Sequence, residues 1–309
     1  MRTARLGLFC ALLIGFMTGS VPAIAGERVT LGFGRLMTND VMGDGEDRWR
    51  TGSYVFSKLR GRSAWTGQRP TRIGDILEYR IRGEVFAPEN LTTPVAGDRQ
   101  FAGAWSLGVH THFRANEVEV SMGADLVITG KQTGLGDMQR QFHDVLGITA
   151  PSALVLGNQI ANGFHPTIST EIARPLRFSD RIMLRPFVEG RAGDETLVRV
   201  GADLLIGRVG QKDLLLRDVT TGHLYRGAQV AARGGTFVLG ADIAKVDSSI
   251  YLPASAGYVL TDTRSRLRAG LHWQSGRRSA FYGVTWLSEE FVGQPEGQIV
   301  GSARFSWRF

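Results

Sequence analysis

The chain has 309 residues, with 36 basic against 29 acidic side chains, a formal charge of +7, 40 glycines and one cysteine. A single cysteine rules out a disulfide-held scaffold. After the leader described next, no run of 18 or more apolar residues occurs, which rules out a helical membrane protein.

The first residues read as a secretory leader. Arg2 and Arg5 make a basic start, Leu6 to Met17 an apolar stretch, and Ala23-Ile24-Ala25 a small-x-small cleavage pattern. Residues 1–25 are expected to be a signal peptide and residues 26–309 one mature domain. Cys10 leaves with the leader. An isoelectric point near 10 calls for an anionic partner. For an exported chain that partner is phosphorylated lipid, not nucleic acid. Arginine carries most of the positive charge and binds phosphate in bidentate fashion. The same arginines have a second use, which is to line a polar barrel interior.

Period-two alternation then runs along the chain. A first strand ends at Asn39-Asp40, and a loop of glycines and acids (Gly43, Asp44, Gly45, Glu46, Asp47) leads to Thr51, which opens a strand over Ser53 to Leu59. Asn, Asp and Thr all suit turns, so these residues alone do not make a site. From Asp75 to Phe86, Leu77, Tyr79, Ile81, Gly83 and Val85 face one way and Glu78, Arg80, Arg82 and Glu84 the other. Trp105 to Arg114 and Val118 to Ile128 alternate similarly across a tight turn at Ala115-Asn116. After an interruption the pattern returns at Thr167 to Phe178, Ile182 to Val188 and Val198 to Ile206. It is weaker at Leu224 to Ala232, and strong again at Leu267 to Trp273, Ala280 to Trp286 and Ile299 to Phe309.

One apolar and one charged face, on strands of about nine to twelve residues in an exported chain, predicts an all-β transmembrane antiparallel barrel with a polar lumen. The aromatic last strand, ending at Phe309, resembles the C-terminal signal of outer-membrane barrels. Twelve strands with both ends in the periplasm place three longer connections outside: Asn39 to Arg50, Ala87 to Gln100, and Lys131 to about Pro166. The turns at Ala115-Asn116 and Ser179-Asp180 are short, as periplasmic turns should be.

The third outside connection predicts a short helix, Asp137 to Leu146, stopped by Gly147. Gln139 and His143 are four apart and share a face. Met138, Phe142, Val145 and Leu146 form an apolar side, expected to lie against the barrel rim. His110 and His112 share a strand face, but with no third ligand nearby they read as lumen-lining residues. His165-Pro166 reads as a loop end.

The segments Asn39-Asp40, Arg48-Trp49-Arg50-Thr51-Gly52, Gly97-Asp98-Arg99 with Ala102-Gly103, and Leu135 to Gly147 follow in that order. In this layout the chain resembles the outer-membrane lipid A 3′-O-deacylase family, the LpxR family, over nearly all its mature length. The resemblance implies a twelve-stranded barrel and calcium-dependent hydrolysis of the 3′-linked acyl ester of lipid A. It implies a monomer acting on lipopolysaccharide among outer-membrane lipids, with the site at the extracellular rim between wall and helix. His143 would be the general base that activates water. Asn39 and Asp40 would belong to the calcium (Ca2+) and oxyanion region, with Thr51 and Gln139 completing the site. These residue types agree with the chemistry, since calcium prefers carboxylate and amide oxygens and a neutral imidazole accepts a proton near pH 7.

Two features depart from the family pattern. Basic residues expected before Gly97-Asp98-Arg99 are missing from Pro88 to Ala96, and a Trp expected after the helix is missing from Gly157 to His165. Two other functions fit a barrel with a decorated loop. One is an outer-membrane phospholipase-type esterase, although no Ser has a convincing context beside His143. The other is a porin or structural barrel with no enzymatic role.

Overall fold

The computed structural model describes residues 27–307, so the leader and Phe309 lie outside the described residues. The wall is made of β1 (Val29–Asn39), β2 (Trp49–Gly61), β3 (Ile76–Ala87), β4 (Ala102–Ala115), β5 (Val118–Thr129), β6 (Gly163–Ala173), β7 (Leu176–Ser179), β8 (Ile182–Ala192) and β9 (Glu195–Gly207). After the short β10 (Leu215–Arg217) and β11 (Leu224–Arg226), it resumes with β12 (Gly234–Ser249), β13 (Arg264–Ser275), β14 (Arg278–Leu287) and β15 (Gln298–Trp307). Neighbours pair antiparallel throughout, and β1 closes on β15 through Met37, Thr38 and Asn39. Both β6 and β7 pair with β8, on either side of Arg174-Pro175. Proline cannot donate to a ladder, so the two are one interrupted wall strand. The wall is thus a closed barrel of twelve strands.

The pleat sorts the side chains as the alternation requires. On β3, Tyr79 and Ile81 are exposed to the lipid side, while Glu78, Arg82 and Glu84 are buried in the lumen. Buried charges must be paired. His112 Nε2 meets Glu78 at 2.7 Å and His110 Nε2 meets Asp125 at 3.1 Å, so this histidine pair does line the lumen. His165 is not a loop end: it lies on β6, with Nε2 3.1 Å from Thr129 Oγ1.

One strand was misplaced by the alternation. Leu224 to Ala232 is not in the wall: β10 and β11 form a hairpin inside the lumen, within the long inner connection 208–233. Arg217 pairs there with Glu171 and Asp203, Arg226 with Asp213, and Tyr225 Oη lies 3.0 Å from Ser57 Oγ. Leu214, Leu216 and Tyr225 pack on Leu36, Val55, Leu59 and Phe281 of the wall. The true wall strand is β12, whose Phe237, Leu239 and Ile243 face lipid. Its lumen positions Val238, Ala244 and Val246 are also apolar, so period two was masked. The inner connection 62–75 is likewise longer than expected for that end.

A filled lumen has a direct consequence. The purified protein in planar bilayers is expected to show no steady ion conductance. Regular single-channel steps would overturn the plugged lumen and favour a porin.

Candidate active site

The first outer connection builds half of the site. Thr38 turns inward to Ser302 Oγ (2.8 Å), so Asn39, like the exposed Met37, lies on the lipid side of β1. Asn39 Nδ2 donates to the Thr51 carbonyl (3.0 Å), and its Oδ1 accepts from Val41 N (3.0 Å), capping the one-turn 3₁₀ helix Asp40–Met42. Its amide is thereby committed to shaping the turn. Asp40 is fully buried, accepting from Val41 N (2.9 Å) and Arg48 N (3.0 Å).

Trp49 has φ of 52°, an uncommon conformation for a bulky residue, and the β2–β3 register shifts between Trp49 and Gly52. Such strain costs of order 1–3 kcal/mol. It is held by burial of the indole beneath the Arg48 guanidinium, 4.3 Å from the ring centroid. The bulge separates two neighbours. Arg50 enters the lumen, pairing with Glu84 (2.8 Å) and Glu290 (2.7 Å), whereas the Thr51 hydroxyl donates to Asp47.

The second half is α1 (Leu135–Leu146), beginning two residues earlier than expected and ending at Gly147 with φ of 68°. Its buried face is Leu135, Gly136, Gln139 and His143. Met138, Phe142, Val145 and Leu146 are exposed, so the apolar side does not lie against the rim. The helix is seated the opposite way round. Its approach segment rests on the lipid side of the wall, where Trp105 Nε1 donates to the Thr133 carbonyl (3.1 Å). A Cβ on Gly103 would sit 2.7 Å from Thr133 Oγ1 and 2.9 Å from Leu135 Cβ, so only glycine permits this approach. The short α2 (Ala153–Gly157) is capped by Ser152, whose hydroxyl also donates to the Thr92 carbonyl (2.7 Å), tying the third connection to the second.

Asp47 joins the two halves. Its Oδ1 accepts from Thr51 Oγ1 and from Gln139 Nε2 (3.3 Å), and its Oδ2 lies 3.1 Å from His143 Nε2. In the sequence Asp47 is one of several loop acids. Its one signal was a carboxylate four residues before Thr51. His143 Nδ1 is 2.8 Å from the Thr149 carbonyl. A carbonyl only accepts, so Nδ1 carries a proton, and in the neutral ring Nε2 keeps the lone pair. The contact with Asp47 is favourable once the ring gains its second proton, on Nε2. Among the described residues, no serine is a hydrogen-bond partner of His143.

The oxygens here suit a hard cation. Burial and the neighbouring Asp47 charge push the Asp40 carboxyl up to about 8, and its hydrogen-bond donors are neutral. Gln139 Oε1 is buried with no hydrogen-bond partner among the described residues. Carboxylate, amide and hydroxyl oxygens are the donor types calcium takes. Among the described residues, no group of three or more His, Cys, Asp or Glu forms a metal cluster, so any such set must be of mixed oxygens.

A cleft of about 550 Å³ opens beside Asp47, lined by Glu89, Asn90, Leu91, Thr92, Val95, Asp98 and Thr149. None of these is basic. Arg99 is not available to it: the guanidinium is buried over the Phe86 ring and pairs with Glu290 at 2.7 Å.

The structure is similar to that of LpxR from Salmonella typhimurium, with a TM-score of 0.72 at 16% identity, covering 90% of this chain and 100% of that one. That likeness shows a shared fold. The KdgM porin in complex with disordered oligogalacturonate aligns over 91% of this chain and 99% of its own, at 7% identity and a TM-score of only 0.39. No curated protein matches the sequence. The family model for "Outer membrane protein LpxR" matches residues 8–309, a span that takes in every wall strand and both halves of the rim site. The chain belongs to the LpxR family of outer membrane proteins.

Proposed function

We infer that this protein is an outer-membrane lipid A 3′-O-deacylase, working as a monomer on lipopolysaccharide from the extracellular rim. The observation that carries this reading is the placement of His143. Its Nδ1 is held by the Thr149 carbonyl, and it stands with Gln139, Thr51 and Asp47 where the first and third connections meet.

In this mechanism Nε2 of His143 takes a proton from water, and the water oxygen attacks the ester carbonyl. Asp47 then holds the imidazolium through Nε2 until the proton passes to the departing sugar oxygen. Thr51 and Gln139 keep Asp47 in place by donating to its Oδ1. Asp40, Asp47 and the free Gln139 Oε1 would hold calcium, with Asn39 shaping the turn that presents Asp40. When bound, calcium supplies positive charge against the negative charge that develops on the carbonyl oxygen.

The test is mass spectrometry of lipid A from cells with and without the protein. Loss of a hydroxyacyl or acyloxyacyl group from the 3′ position is expected. Unchanged lipid A with free fatty acid released from phospholipid would replace this reading by a phospholipase. No lipid change would remove the enzymatic reading.

A further inference from the structure

The third outer connection presents an apolar stripe that the proposed reaction leaves unused. Met138, Phe142, Val145 and Leu146 lie on one side of α1 and are 56, 61, 84 and 56% exposed. A helix on the surface of a water-soluble protein turns such a stripe to the core. This helix instead begins against the lipid side of β4, at Gly103 and Trp105. On that same side of the wall, Leu107 of β4, Leu126 of β5 and Phe164 of β6 are exposed. The stripe therefore continues the lipid-facing band beyond the ends of the strands.

We propose that this stripe lies in the hydrocarbon of the outer leaflet and guides the acyl chain of the bound ester toward His143. The second half of that statement rests on His143 as the base; the first does not. Continuity with the lipid-facing wall identifies the occupant as outer-leaflet acyl chains. Interfacial helices of this kind sink their apolar face about 5–10 Å into the headgroup and acyl boundary. Phe142 directly precedes His143, and Met138 directly precedes Gln139. About 100° of helix rotation separates such neighbours. An ester held on the polar face thus has its chain beside the stripe.

The experiment uses the full mature chain, which has no cysteine once Cys10 is removed with the leader. Val145→Cys and, on the polar side, Asp137→Cys are each labelled with an environment-sensitive fluorophore. They are placed in vesicles of lipopolysaccharide and phospholipid whose acyl chains carry a shallow spin label. Emission from position 145 is expected to be blue-shifted and quenched by the spin label, and that from 137 to be quenched by aqueous iodide. The same result is expected in a His143→Ala background, which separates this inference from the catalytic reading. Iodide quenching at 145 equal to that at 137 would overturn it, as would disulfide cross-linking of 145 between two copies. For the guiding role, Val145→Asp should raise KM for lipid A in bilayers roughly tenfold with kcat little changed, as expected for a charge placed near the lipid boundary. An unchanged KM would overturn that role.

Discussion

Purified His143→Ala protein is expected to insert as a heat-modifiable barrel and to hydrolyse lipid A ~10²–10⁴-fold more slowly than the parent chain, the usual cost of losing a positioned general base. The helix that carries His143 lies outside the ladder, so the strand pairing that closes the barrel does not depend on the imidazole. His143→Gln should not restore activity. An amide holds a water molecule but cannot take its proton at neutral pH. Gln139→Ala, one turn earlier, should have a milder effect, since it removes one of several oxygens proposed for calcium and Thr51 still donates to Asp47. The measurement is the initial rate on purified lipid A, with folding checked by heat-modified mobility. A folded His143→Ala protein acting at near the parental rate would remove the mechanism, even though the family assignment would stand.

The second large effect is expected at Asp47. Asp47→Asn keeps the size of the side chain and an oxygen for Thr51 and Gln139, but removes the charge that faces His143 Nε2. Partners that orient a base or a metal ligand typically contribute ~10–100-fold to activity or metal affinity. A fall of that size in deacylation is expected, together with weaker calcium binding measured by calorimetry. Glu46→Gln, one residue earlier in an exposed position, should behave like the parent. A chelator should lower the parental rate and calcium should restore it. Full activity of Asp47→Asn at limiting calcium would show that the carboxylate neither holds the cation nor steadies the imidazolium.

Strand identity was legible wherever the two sides of the wall differ in polarity. On β3, charge against apolar residue at every step distinguishes lumen from lipid, because the pleat sends successive side chains to opposite faces. The helix position of Gln139 and His143 was legible for a similar reason, since residues four apart meet on one face. Periodicity reports that an element has two sides; it does not report what covers them. Leu224, Tyr225 and Arg226 are buried on both sides in the lumen, while β12 has apolar residues on both sides, so the sequence order of wall and plug was concealed. The orientation of α1 was likewise a tertiary matter. The rule that an apolar stripe faces a core assumes water outside, and beside a bilayer the stripe has lipid as an alternative. Asp47 could be recognised only after the bulge at Trp49 sent Arg50 into the lumen and left the Thr51 hydroxyl on Asp47. Its role depends on contacts with Gln139 and His143, more than 90 residues away along the chain, and local pattern carries no information about pairings at that separation.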